Sequence, residues 1–229
     1  LPENPLLPHR KLQELYGLME RCRTLEKKQR APVAREAILA ATSIHLEPGD
    51  FISAPASDHT LASLAPESKS DAPAPAPFAT HTSRLTLAAA TARGQQLSGN
   101  NLTLAWATAH TAEPWIEAVT LAQTHRLPFI LCVPDAPPRR ISKKTDALTW
   151  PALDPLCRRI HLPTLTVDGE DAVAVYRVMQ EATLRARTGL GPSVIWAMLS
   201  PADKPPARTR APISRLKKYL AARSIPLPQ

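Results

Sequence analysis

Leu12, Leu15, Tyr16, Met19, Cys22 and Leu25 recur at three- and four-residue intervals among charged neighbours, the spacing of one apolar stripe on a helix. The spacing predicts an amphipathic helix over 11–30. It closes on Lys27, Lys28 and Arg30 before Pro32, where positive charge suits the negative end of the helix dipole. Ala37, Ile38 and Ala41 predict a second helix over 33–44. Glu47-Pro48-Gly49-Asp50 then turns the chain into a strand that begins at Phe51-Ile52-Ser53.

From residue 85 onward helical and extended patterns alternate. A helix over 85–93 ends near Gly94, and 102–106 reads as a strand. Pro114 suits the first turn of a helix that turns Trp115, Ala118, Val119 and Ala122 inward and closes at His125 and Arg126. The wholly apolar run Phe129-Ile130-Leu131-Cys132-Val133 is that of a strand covered on both faces. Next come a helix over 151–159, a strand at Leu165-Thr166-Val167, and a long helix capped by Asp171 with Val175, Met179 and Ala182 inward and its stop at Gly189. A strand over 193–199 and a basic helix over 213–223 complete the chain. The alternation predicts an α/β fold: a mostly parallel sheet with helices on both faces, formed by one domain over 1–229. Ligands of such sheets bind at the carboxyl ends of the strands, so the loops after Trp106, Val133, Val167 and Leu199 are where chemistry is expected.

The segment 66–83, with its alternating Ala-Pro run from Asp71 to Pro77, breaks this rhythm and is expected to be an extended linker, since proline excludes both helix and ladder hydrogen bonds. There are 25 prolines against 7 glycines, so glycine-rich phosphate loops are scarce. A net charge of +8 suits a nucleic acid, an acidic protein surface or a small polyanion equally. Cys22, Cys132 and Cys157 lie far apart among apolar neighbours and read as packed free thiols, which fits a reducing cytoplasm. No apolar run approaches the roughly 18–20 residues of a membrane span, and the N-terminal residues lack a signal-peptide core.

Four clusters carry candidate chemistry. His110, after the strand ending at Trp106, is a candidate general base with no acid partner nearby in sequence. Asp58-His59 is a candidate acid/base pair, although neighbours on an extended segment point in opposite directions. Arg139, Arg140, Lys143 and Lys144 follow Asp135-Ala136-Pro137-Pro138 and read either as a solvated loop or as an anion site. Asp168-Gly169-Glu170-Asp171 has the acidity of a metal cluster, but capping gives Asp171 a sufficient local role.

Several segments also resemble a known family. Val167-Asp168-Gly169-Glu170-Asp171-Ala172-Val173-Ala174-Val175-Tyr176, followed by Ala182, Ala186-Arg187, Gly189, Gly191-Pro192 and Ile195, is similar to a motif of the alpha subunits of pyruvate, branched-chain and acetoin dehydrogenases. These are the thiamine-diphosphate-dependent 2-oxo acid dehydrogenase (E1) components. Glu117-Ala118, Ala122 and Leu127-Pro128 resemble a second segment of that family. Leu15-Tyr16, Met19, Arg23, Glu26, Glu36-Ala37 and Pro48-Gly49-Asp50 resemble its opening helices, and Arg215-Leu216, Tyr219-Leu220 and Arg223 its closing one. The resemblance implies the thiamine-diphosphate-binding fold.

It also implies a damaged site. In the family an Asp within G-D-G, with an Asn and a Tyr after the next strand, holds the magnesium that bridges the cofactor diphosphate. Those three positions fall on Ala107, Ala136 and Pro138. Of the family's Y-R-x-H, here Ala56-Ser57-Asp58-His59, His59 alone is kept as a catalytic candidate. The Ala-Pro linker replaces a loop bearing S-M-H. A shortened loop over 200–211, beginning Ser200-Pro201-Ala202-Asp203-Lys204, replaces Y-R-x-x-G-H-S. The resemblance thus implies no metal ligands and no expected cofactor, with Arg139, Arg140, Lys143 and Lys144 left as anion contacts. It points to a non-catalytic structural or regulatory subunit, paired with itself or with a beta-subunit-like partner. The alternative is a divergent decarboxylating 2-oxo acid dehydrogenase subunit, active with a beta subunit and thiamine diphosphate. A third reading, a basic polyanion-binding module, rests on charge alone, and nucleic acid is not the expected partner.

Overall fold

The structure, a computed structural model, describes residues 7–29, 35–55, 58–64, 81–99, 101–110, 115–136, 148–201 and 211–228. Among them five strands form one parallel sheet in the order β1-β2-β3-β5-β4. The strands are β1 (Phe51–Ser53), β2 (Thr103–Trp106), β3 (Phe129–Asp135), β4 (Thr164–Asp168) and β5 (Ser193–Met198).

Eight helices accompany the sheet among the described residues: α1 (His9–Gln29), α2 (Glu36–Ser43), α3 (His59–Ala62), α4 (His81–Ser98), α5 (Trp115–Thr124), α6 (Trp150–Arg159), α7 (Ala172–Arg187) and α8 (Pro212–Ala221). The period of two along each strand divides the core. Leu104, Trp106, Ile130, Cys132, Ile195 and Ala197 pack with α1, α2, α7 and α8, whereas Ala105, Phe129, Leu131, Val133, Val194 and Trp196 pack with α4, α5 and α6. Both faces of the central strands are therefore covered, which is why their sequences are almost wholly apolar. Burying each such side chain contributes about 1.5–3 kcal/mol.

Four sequence expectations change. Residues 81–83 belong to α4, not to an extended 66–83 linker; positions 66–80 lie outside the described residues. Helix α4 also runs through Gly94 to Ser98, because burial of Leu85, Ala88, Ala89 and Ala92 outweighs the roughly 1 kcal/mol that an internal glycine costs. Asp58-His59 is not extended: Asp58 caps α3 by accepting the Leu61 N–H at 3.2 Å, and His59 begins the helix. Finally, β3 continues through Pro134. The proline nitrogen faces the side of β2, which has already ended opposite Cys132, so no ladder bond is lost.

Asp171 caps α7 as expected, accepting from the N–H groups of Val173 and Ala174 at 3.0 and 3.1 Å. Cys22, Cys132 and Cys157 are free and buried. No helix among the described residues is long and apolar enough to cross a membrane.

Candidate functional site

Strand register sets what meets at the carboxyl edge of the sheet. Trp106 pairs with Cys132 and Asp135 with Met198, so the chain leaves β2 at Ala107, β3 at Ala136 and β5 at Leu199 along one line. These three residues, with Trp106, Thr108, Ala109 and Pro134, line a cavity of about 140 Å³ together with Arg35, Pro55 and Asp58. Two positions at which the resemblance expects metal ligands, Ala107 and Ala136, thus face one cavity as methyl groups.

The charged wall of the cavity is an internal ion triad. Arg35 Nη1 lies 2.6 Å from Asp58 Oδ2 and Nη2 lies 2.6 Å from Glu26 Oε1, with little of either carboxylate exposed. Burial opposes the Arg35 charge, but the hydrogen bonds to Asp58 and Glu26 outweigh it and raise the guanidinium pKa above its ordinary value. The triad ties α1, the start of α2 and the cap of α3 into one corner. His59 stands exposed beside it.

A second constellation lies at the same edge. His110, whose acid partner was not visible along the chain, has one in space: Nε2 is 2.8 Å from Asp135 Oδ1. The other oxygen, Asp135 Oδ2, accepts from Trp196 Nε1 at 3.1 Å. Sequence reasoning missed Asp135 as a partner because 25 residues separate it from His110. The available signal was the placement of His110 just past β2 and of Asp135 at the end of β3, neighbouring parallel strands.

The acidic cluster after β4 is absorbed by structure. Asp168 accepts from the Glu170 N–H at 3.0 Å and from Arg215 Nη1 at 2.8 Å, while Asp171 receives Arg215 Nη2 at 3.2 Å. Glu170 Oε1 accepts the Ser200 N–H at 2.8 Å, tying the β4 loop to the end of β5. Among the described residues no group of three or more His, Cys, Asp or Glu side chains could hold a metal ion. Pro138, Arg139, Arg140, Lys143 and Lys144 lie outside the described residues.

The donor chemistry decides whether the cavity fits a magnesium diphosphate. Magnesium requires about six oxygen donors in near-octahedral array, usually including one or two carboxylates. The lining offers the Thr108 hydroxyl and one carboxylate, Asp58, whose Oδ2 is held by Arg35 and whose Oδ1 caps α3. The described residues do not fit this group.

Residues 107–199 match the family model of the dehydrogenase E1 component. No curated protein matches the chain. Among solved structures, benzoylformate decarboxylase from Polynucleobacter necessarius aligns with a TM-score of 0.51 at 14% identity, over 71% of this chain and 32% of its own. An enzyme from Mycobacterium smegmatis, provisionally described as thiamin diphosphate-dependent, aligns with a TM-score of 0.54 at 17% identity, over 75% of this chain and 32% of its own. Transketolase from Campylobacter jejuni subsp. jejuni aligns with a TM-score of 0.52 at 16% identity, over 82% and 37%. The chain spans about a third of the length of these structures. At such identities the structural likeness establishes the fold alone, one shared with these enzymes, and residues 107–199 are similar to the dehydrogenase E1 component.

Proposed function

We propose that this chain, a dehydrogenase E1 component-like domain, is an alpha-subunit-like protein that has lost its metal and diphosphate site. It acts as a non-catalytic structural or regulatory subunit, paired with a second copy or with a beta-subunit-like partner. One observation carries the reading: Ala107 and Ala136 line a single cavity at the carboxyl edge of the sheet, and the carboxylate there, Asp58, is bound to Arg35. A fold kept by its core while its ligand-bearing loops lose their donors suits an assembly role. The apolar strands that position the site do not depend on the cofactor.

Calorimetric titration with thiamine diphosphate, with and without magnesium, tests the reading. Weak binding that magnesium does not strengthen and that falls with salt is expected, since exposed charges are screened over about 8–10 Å at ordinary ionic strength. Tight, magnesium-dependent binding would overturn it. Ala107→Asp combined with Ala136→Asn is expected to make magnesium matter. Sedimentation of the chain alone and with a beta-subunit-like chain tests the pairing.

A second reading, a divergent decarboxylating 2-oxo acid dehydrogenase subunit, is favoured by the position of His59 directly after Asp58, which lines the cavity. It requires 2-oxo acid turnover with a beta subunit and thiamine diphosphate, abolished by His59→Ala.

A further inference from the structure

Helices α4, α5 and α7 end at the amino edge of the sheet, opposite the edge that carries Ala107 and Ala136, and from their ends the chain turns into β2, β3 and β5. These three strands lie side by side. A cavity of about 300 Å³ opens among the turns, and its lining includes Gln96, Arg126, Arg187, Thr188 and Gly189.

The charge of this edge is one-sided. No carboxylate belongs to the lining. Arg187 is already bound to Asp50, with Glu47 3.7 Å away. Two neighbouring arginines serve the helix ends: Arg93 Nη1 donates to Gln96 Oε1, and Arg185 Nη2 donates to the Leu190 carbonyl at 3.2 Å. Such cations complement the negative ends of helix dipoles. Arg126 has no such side-chain contact. It is exposed, and no described residue gives its guanidinium a hydrogen bond or an ion pair. The exposed carboxylate at this end of α7 is Glu181, one turn before Arg185.

The same edge is apolar at its rim. Leu97, Leu184 and Leu190 are 74%, 62% and 59% exposed, the three most exposed of the large apolar side chains among the described residues. Each adjoins the lining of the cavity. Leu97 follows Gln96, Leu190 follows Gly189, and Leu184 lies one helical turn before Thr188, whose hydroxyl donates to the Leu184 carbonyl at 2.8 Å. Apolar side chains exposed singly are ordinary, whereas three around one cavity mark an interaction surface.

We propose that this amino edge docks an acidic segment of a partner protein, whose carboxylates face Arg126 and whose apolar side chains cover Leu97, Leu184 and Leu190. Charge complementarity selects that occupant. The lining lacks carboxylates, and a second copy of a chain with net charge +8 would bring more cations than anions to the edge. A free inorganic anion would leave the three leucines uncovered. The inference does not rest on the loss of the metal and diphosphate site, which concerns the opposite edge, so thiamine diphosphate titration leaves it untouched.

Fluorescence anisotropy of the full chain with a labelled octapeptide of leucine and glutamate in equal number tests the proposal. Saturable binding is expected. It should weaken at least about tenfold when lysine replaces the glutamates of the peptide, and likewise in the Arg126→Glu chain, where charge reversal turns attraction into repulsion. Serine in place of the peptide leucines, or Leu184→Ser with Leu190→Ser in the chain, is also expected to cost at least about tenfold, since each leucine side chain left uncovered forfeits its burial. All three positions are exposed, and unchanged melting of the variants separates lost docking from lost fold. Absence of saturable binding, equal binding of the lysine peptide, or unchanged binding in Arg126→Glu would overturn the proposal. So would displacement of the peptide by sodium phosphate at constant ionic strength, which would identify a small-anion site instead.

Discussion

Arg187, the last residue of α7, places Nη2 2.6 Å from Oδ2 of Asp50, the residue that leads into β1 and lies 137 positions earlier. The Asp50 carboxylate has no exposed side-chain surface and also accepts the N–H groups of Glu47 and Leu102 at 2.8 and 2.9 Å. Two of the segments that resemble the alpha-subunit family, one near each end of the chain, therefore meet in a single buried ion pair. Arg187→Met leaves the carboxylate buried without its counter-charge and is expected to cost about 3–5 kcal/mol in urea unfolding. A loss below about 1 kcal/mol would show that water or another cation replaces the guanidinium.

His45 sets an acid limit on stability. Burial, resisted by the hydrogen bond its Nε2–H donates to the Tyr176 carbonyl, lowers its pKa from 6.5 to about 4. The unfolded chain therefore binds the proton more readily between these values. Stability is complete above the unfolded pKa and is lost as pH falls from about 6.5 towards about 4, by a total on the order of 3 kcal/mol. Urea midpoints measured across this window should decline, and His45→Gln should flatten the decline.

Glycine substitutions are expected to act in opposite directions. Gly17 and Gly94 are helical, exposed, and have nothing within 4 Å of an added Cβ, so alanine at either is expected to stabilise by about 0.5–1 kcal/mol. Gly49 has φ of +99°, and an added Cβ would stand 2.6 Å from Asn101 Nδ2. Gly49→Ala is expected to lower the melting temperature, with strain of about 1–2 kcal/mol before the crowding is counted.

The thiols report on the core. Burial pushes the pKa of Cys22 up to about 12 and also raises those of Cys132 and Cys157. Because the thiolate is the nucleophile, native protein is expected to resist iodoacetamide, with all three thiols labelled in urea. Mass spectrometry of the labelled protein distinguishes this from reaction at one exposed thiol.

Local periodicity and capping carried much of the architecture in the sequence alone. The apolar run of β3, the stripe on α1 and the Asp171 cap of α7 each depend on residues within a few positions of one another. The placement of Ala107 and Ala136 at strand ends was legible for the same reason, since each follows an apolar run by one or a few residues. Tertiary structure alone decided the path of α4 through Gly94, the α3 turn at His59, the Arg35 triad and the pairing of His110 with Asp135. None of these leaves a local pattern. Each arises because packing both faces of the sheet sets strand order and register, and those bring loops distant in sequence to one edge, where charged and polar groups must find partners or remain unpaired at a cost.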